Sequence, residues 1–145
     1  MGGNGLKWPD QKEFNLKQDV LAAQVVLNSG VPFVIMPCNP VVSHFFSTIP
    51  ELKCYMEGKS ELSDYLYNIV VEYSHGRDAW SKVIWDVTPV AWLVNSSWIS
   101  TDIVHSPVLT DQVTYSVDNR RHFIRMATEL IRDRIFKDLF EKIAK

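Results

Sequence analysis

The 145-residue sequence is poor in cysteine: it has only Cys38 and Cys54. Two cysteines make no disulfide framework, and neither sits in a zinc-type spacing, so a reducing, cytoplasmic setting is expected. Long hydrophobic runs are missing too. No uncharged apolar stretch reaches the roughly 18 residues needed to span a bilayer, so no membrane partner is expected. Met1-Gly2-Gly3-Asn4-Gly5 has neither the basic stretch nor the apolar core of a secretion signal. Charge of one sign does not dominate: 15 Lys/Arg face 17 Asp/Glu, a net charge of −2. No whole-molecule basic field therefore marks a nucleic-acid binder. From Asp118 onward eight Lys/Arg meet five Asp/Glu, but the signs interleave, so this tail reads as a solvated face. Internal repeats, low-complexity tracts and Pro/Gly/Ser linkers are absent. The four histidines, His44, His75, His105 and His122, show no metal-ligand spacing. What remains, 46% hydrophobic and 22% charged residues, suits one globular domain over 1–145 and excludes general disorder.

The first predicted helix runs from about Lys17 to Asn28 and is closed by Ser29-Gly30, with Asn15 and Gln18 as a capping box. Val31-Pro32-Phe33-Val34-Ile35-Met36-Pro37 then reads as a strand covered on both faces. Helix followed by buried strand is half of a β-α-β unit, which argues for an α/β fold. A short helix is expected over Pro50–Met56, capped by Thr48 and stopped by Gly58, and a longer one from Ser60 to about Tyr73. In the longer helix Leu62, Leu66, Ile69 and Tyr73 share one face. Thr88-Pro89 reads as cap and first residue of the next helix. Period-two alternation over Val113–Val117 and His122–Ala127 predicts a β-hairpin closed by Asp118-Asn119-Arg120-Arg121. A final helix carries Ile131, Ile135, Phe136, Leu139, Phe140 and Ile143 on its apolar stripe, with Asp133/Lys137 and Asp138/Lys142 on the wet side.

Two stretches can carry chemistry. Glu13-Phe14-Asn15-Leu16-Lys17-Gln18-Asp19 precedes a helix that feeds the buried strand, where loops of open α/β sheets gather ligands. Its plain alternative is a polar loop with Asn15 as an ordinary cap. In Ile84-Trp85-Asp86-Val87-Thr88, Asp86 lies just before a helix start. It is either a dipole-stabilised cap or a carboxylate held for a hard cation, and one Asp alone cannot make a calcium site.

Taken together and in order, these motifs are similar to the inosine-uridine preferring nucleoside hydrolase family. The matching residues are the glycine pair, Glu13-Phe14-Asn15-Leu16, Gln18-Asp19, Ala22-Ala23, Ser29-Gly30-Val31-Pro32, Pro37-Cys38, Trp85-Asp86, Val90-Ala91 and the Arg125–Phe140 segment. The resemblance runs from Gly2 to Ile143 and covers only the C-terminal half of the family's fold. It implies an open, mainly parallel sheet flanked by helices, ending in the hairpin and last helix. It also implies calcium-dependent hydrolysis of the N-glycosidic bond of purine or pyrimidine ribonucleosides, an activity of salvage. Glu13 and Asn15 match the sugar-binding segment, and Asp86 matches the late calcium ligand. Asn4 matches the sugar-binding Asn after the glycine pair, at a longer distance from Glu13 than in many members.

Two departures qualify this expectation. Many members have a His before the metal-binding Asp; here Trp85 occupies that place, either stacking on the base, as Trp80 also could, or simply buried. The family's Asp-x-Asp-x-Gly-x-Asp-Asp motif, which supplies the general base and most calcium ligands, is missing from these residues. The chain is therefore expected to be the C-terminal portion of a hydrolase, inactive alone. The alternative is a non-catalytic interaction module that pairs with a chain carrying the N-terminal half, or with its own copy.

Overall fold

A computed structural model describes all 145 residues. The chain begins with an extended segment and a loop, then two short helices, α1 (Phe14–Gln18) and α2 (Val20–Asn28). One helix was expected here, capped by Asn15 and Gln18. Instead Glu13 caps α1, and Asp19 breaks the run and caps α2 through the Ala22 amide. An acidic side chain that bonds nearby amides competes with helix continuation, so Asp19 makes a cap of what would be a helix interior. Gly30, at φ +74°, turns the chain out of α2 as anticipated.

Strand β1 is only Val34–Ile35. The longer, doubly covered strand expected over Val31–Pro37 does not form, and Val31 remains 59% exposed. Pro32 and Pro37 flank it without N–H groups, so the ladder cannot extend through them. After a 3₁₀ turn (Val42–His44) come β2 (Phe46–Thr48) and α3 (Ile49–Met56), capped by Thr48 as predicted. Helix α4 (Glu61–Ser74) starts at a reciprocal Ser60/Ser63 capping box. Its buried residues are Ser63, Tyr67 and Ser74, whereas Leu62, Ile69 and Tyr73 of the expected apolar face are exposed. The Ser63 hydroxyl, which bonds the Met56 and Ser60 carbonyls, turns that side of the helix inward.

Strand β3 (Ser81–Val83) pairs antiparallel with β2 and delivers the chain to α5 (Val87–Val94). A second 3₁₀ turn (Ser96–Trp98) precedes β4 (Ile99–His105), then β5 (Val108–Leu109), β6 (Tyr115–Ser116), β7 (Phe123–Leu130) and α6 (Arg132–Ile143). The central sheet has the order β1-β7-β4, with β1 parallel and β4 antiparallel to β7. The hairpin expected between residues 113 and 127 is therefore not formed. Strand β6 pairs with β5, and β7 inserts between β1 and β4. Alternation predicted a strand in each place, but β6 keeps only Tyr115–Ser116 of Val113–Val117, β7 runs on to Leu130, and the partners differ. The sheet in this chain is thus mixed, with helices around it, an α/β architecture as expected.

The main core joins Met36, Val42, Phe45, Leu52, Ile99, Ala127, Ile135, Phe136 and Phe140 with others. Phe45 and Phe136 stack with ring centres 4.2 Å apart. The α6 stripe is covered as read from Ile135 to Ile143, but Ile131 precedes the helix and is 42% exposed; Asp138 pairs with Lys142. Asp133, however, pairs with Arg132 and Lys137 with Glu141. A smaller core of Leu16, Leu27, Leu109 and Val113 ties α1 and α2 to the β5–β6 hairpin. No helix is long and apolar enough to cross a membrane.

Candidate functional site

The site gathers where β1 ends. Beyond Ile35 the chain continues beside the opening segment: the Gly2 N–H donates to the Met36 carbonyl at 3.1 Å and the Cys38 N–H to the Gly3 carbonyl at 2.7 Å. Glu13 swings in against this corner. Its Oε1 accepts the Gly3 N–H at 2.9 Å and the Leu16 N–H at 2.7 Å. Its Oε2 accepts the Asn15 N–H at 2.8 Å, the Asn15 side-chain amide at 3.1 Å and the Cys38 thiol at 3.5 Å. A carboxylate has about four lone-pair sites, so this one is fully occupied, and the thiol at 3.5 Å is the loosest of the five contacts.

The electrostatics follow from these contacts. Burial pushes the Glu13 carboxyl up, but the amides of Leu16, Asn15 and Gly3, with the Cys38 thiol, outweigh it and hold it below the usual carboxylate range. The Cys38 thiol is pushed up to about 12, first by burial, then by the Glu13 charge and its hydrogen bond to Glu13. It is a neutral donor, not a nucleophile. The Asp86 charge also contributes to that rise, which puts Asp86 within electrostatic reach of the cluster. Burial, with the charges of Glu13 and Cys38, likewise raises the Tyr115 phenol.

Asp86 occupies the N-cap position of α5, but its side chain makes no capping hydrogen bond and is exposed. Thr88 is not the cap: it lies within α5 and its hydroxyl donates to the Trp85 carbonyl at 3.0 Å. The Asp86 carboxylate is thus free to meet something outside the chain. Trp85 is half-buried and packs on the main core. Trp80 is half-buried with the Arg77 guanidinium 5.0 Å above its ring. Asn4 is placed differently: it is 4% exposed, and both ends of its amide are used. Its Nδ2 donates to the Asp10 carbonyl at 2.7 Å, and its Oδ1 accepts the Asn39 N–H at 2.9 Å. With Gln11, whose Oε1 accepts the Asn4 N–H at 2.8 Å, it fastens the 4–11 loop.

The structure therefore brings Glu13 and Asn15 into hydrogen-bond contact and uses Asn4 to fasten the 4–11 loop, while Asp86 stands apart at the start of α5. Sequence reading missed Gly3 and Cys38 as partners of Glu13, although both lie in motifs it had singled out. Tyr115 carried no local signal. No three His, Cys, Asp or Glu side chains converge to hold a metal ion. Asp86 suits one place in a calcium shell, but these residues alone do not make a site for an ion that takes six to eight oxygens. A groove of about 680 Å³ between α3 and α6 is lined by Glu51, Tyr55, Arg132, Phe136 and others, none of them in the Glu13 cluster.

Neither a family model nor any curated protein matches the sequence. Solved structures do. A plant nucleoside hydrolase superposes with a TM-score of 0.79 at 16% identity, over 98% of this chain and 50% of its own. A purine-preferring ribonucleoside hydrolase from Gardnerella vaginalis gives 0.78 at 17%, over 99% and 50%. An inosine-uridine preferring nucleoside hydrolase from Bacillus anthracis gives 0.72 at 16%, over 100% and 48%. This chain has the nucleoside hydrolase fold and spans about half the length of each.

Proposed function

We propose that the chain supplies the sugar-gripping side of a nucleoside N-ribohydrolase site, as the C-terminal half of such an enzyme. The carrying observation is the Glu13–Asn15 pair, fixed by backbone amides at a strand end within the field of Asp86. Ribose hydroxyls are donors that suit Glu13 Oε2, where they replace the long Cys38 contact, and the exposed Asn15 amide adds a second polar grip. Binding of this kind fixes the sugar while the glycosidic bond breaks. Asp86 is assigned one place in a calcium shell, and the other ligands and the general base come from outside these residues. Trp85 offers an aromatic edge for the base.

The test is incubation with inosine, uridine and calcium. These 145 residues alone are expected to release no base, and turnover typical of an enzyme would overturn the half-site reading. Adding a polypeptide that carries the aspartate-rich half of a nucleoside hydrolase is expected to restore hydrolysis. Glu13→Gln is then expected to lower the restored rate at least about 100-fold, as loss of a positioned group does.

A second reading, an interaction module, is favoured by the exposed apolar side chains. Leu21, Val25 and Leu93 are 72%, 69% and 77% exposed. Such surfaces pair with another chain, here the complementary half or a second copy. Sedimentation at micromolar concentration should show association; a clean monomer counts against this reading.

A further inference from the structure

We propose that Tyr115 is a positioning residue for Glu13, acting through Gly3. Its importance for ligand binding rests on the reading of Glu13 as the sugar carboxylate; its contact with Gly3 does not. Tyr115 lies in β6, far along the chain, on the hairpin that packs against α2 and Leu16. Its phenol oxygen is buried and has no hydrogen-bond partner. A buried polar atom without a partner is costly to keep, and in native structures it calls for a reason.

The geometry points to that reason. Gly3 adopts φ +66°, and a methyl built on it would collide with the Tyr115 oxygen, while the next nearest atom, Leu16 Cδ1, would be at 3.3 Å and Tyr115 Cζ at 3.5 Å. The phenol oxygen is thus the backstop against which the Gly3 peptide rests. From that position Gly3 turns its N–H onto Glu13 Oε1 at 2.9 Å and its carbonyl toward the Cys38 N–H at 2.7 Å. Moving the backstop frees the Gly3 peptide and releases one of the backbone amides that hold the carboxylate. The titratable and polar groups that face Glu13 are Cys38, Asn15 and Tyr115; the Met1 amine and Asp86 act on Cys38 behind them.

The test is a double-mutant cycle of Tyr115→Phe and Gly3→Ala in the full chain. The readouts are the NMR titration midpoint of the Glu13 side-chain carboxyl and the affinity for ribose by calorimetry. Gly3→Ala is expected to raise the midpoint by about one pH unit through the lost amide bond. Tyr115→Phe, which keeps the ring and the fold, is expected to raise it by a smaller step and to weaken ribose binding several-fold. In the double variant the clash with the phenol oxygen is gone while the strain of an alanine at φ +66° stays, so both readouts move part of the way back toward the parent. Equal effects of Gly3→Ala in the two backgrounds would overturn the proposal. If Gly3→Ala does not fold, Tyr115→Phe decides: an unmoved Glu13 midpoint overturns it. A coupled midpoint without ribose binding in the parent chain would sustain the positioning role and count against the sugar-site reading.

Discussion

Two regions of the molecule are held together by different physics. Around α3 to α6 a core of 13 buried apolar residues is closed by stacked rings, Phe45 on Phe136 and Phe136 on Phe140. Around the candidate site the buried apolar cluster has only four members, and position is set by Asn4, Gln11 and Glu13 reaching backbone groups. Apolar burial has no preferred direction and tolerates volume-conserving exchange. Hydrogen bonds are directional, so the site region depends on single atoms. One region supplies stability and the other supplies geometry.

The largest expected effect tests the first half of that contrast. Phe136→Ala empties the centre of the main core and should destabilise the chain by about 3–5 kcal/mol, read from urea unfolding. Phe136→Leu should lose much less. If Phe136→Ala is nearly neutral, the contrast fails. Next, Asn4→Ala strands the Asn39 N–H and the Asp10 carbonyl and should lose about 1–3 kcal/mol, although it removes almost no apolar area.

A smaller effect is expected from acid. The folded Glu13 carboxyl titrates below its ordinary value of 4.5. Its stabilisation is therefore present above that pH and fades as pH falls through the lower folded value. Thermal melts from pH 6 to pH 2 should show Glu13→Gln losing its deficit against the parent as acid increases; a constant deficit would mean that the carboxylate charge is not what the amides hold. Smallest of all, Asp86→Asn should change stability by no more than about 0.5 kcal/mol, because that carboxylate makes no hydrogen bond. A large loss would show that Asp86 serves the fold and not a ligand.

Legibility in the sequence followed the range of the interactions. The Thr48 cap, the start of α4 near Ser60, the turn at Gly30 and the α6 stripe of Ile135, Phe136 and Phe140 could be read directly, because helix bonding and capping join residues three or four apart. The Asp19 break was missed because two acidic side chains cap in succession, Glu13 on the Asn15 and Leu16 amides and Asp19 on the Ala22 amide, where one continuous helix was expected. The α4 face was misread because apolar spacing says nothing about a serine drawn inward by the Met56 carbonyl. Residues 113–127 alternated as strands do, yet β7 found β1 and β4 instead of β6. At the site, Glu13, Asn15 and Asp86 were named from their motifs, whereas Tyr115 could not be.

The sequence by itself determined where α2 ends, where α3 and α4 begin and end, which residues favour strands, and which short motif carries Glu13 and Asn15. Only the tertiary structure decided which strands pair, which face of α4 is covered, that Asn4 fastens a loop, and that Tyr115 stops Gly3. The physical reason is the same throughout. Local hydrogen bonds are written in neighbouring residues, while strand pairing and close packing depend on groups that meet only after the chain has folded back on itself.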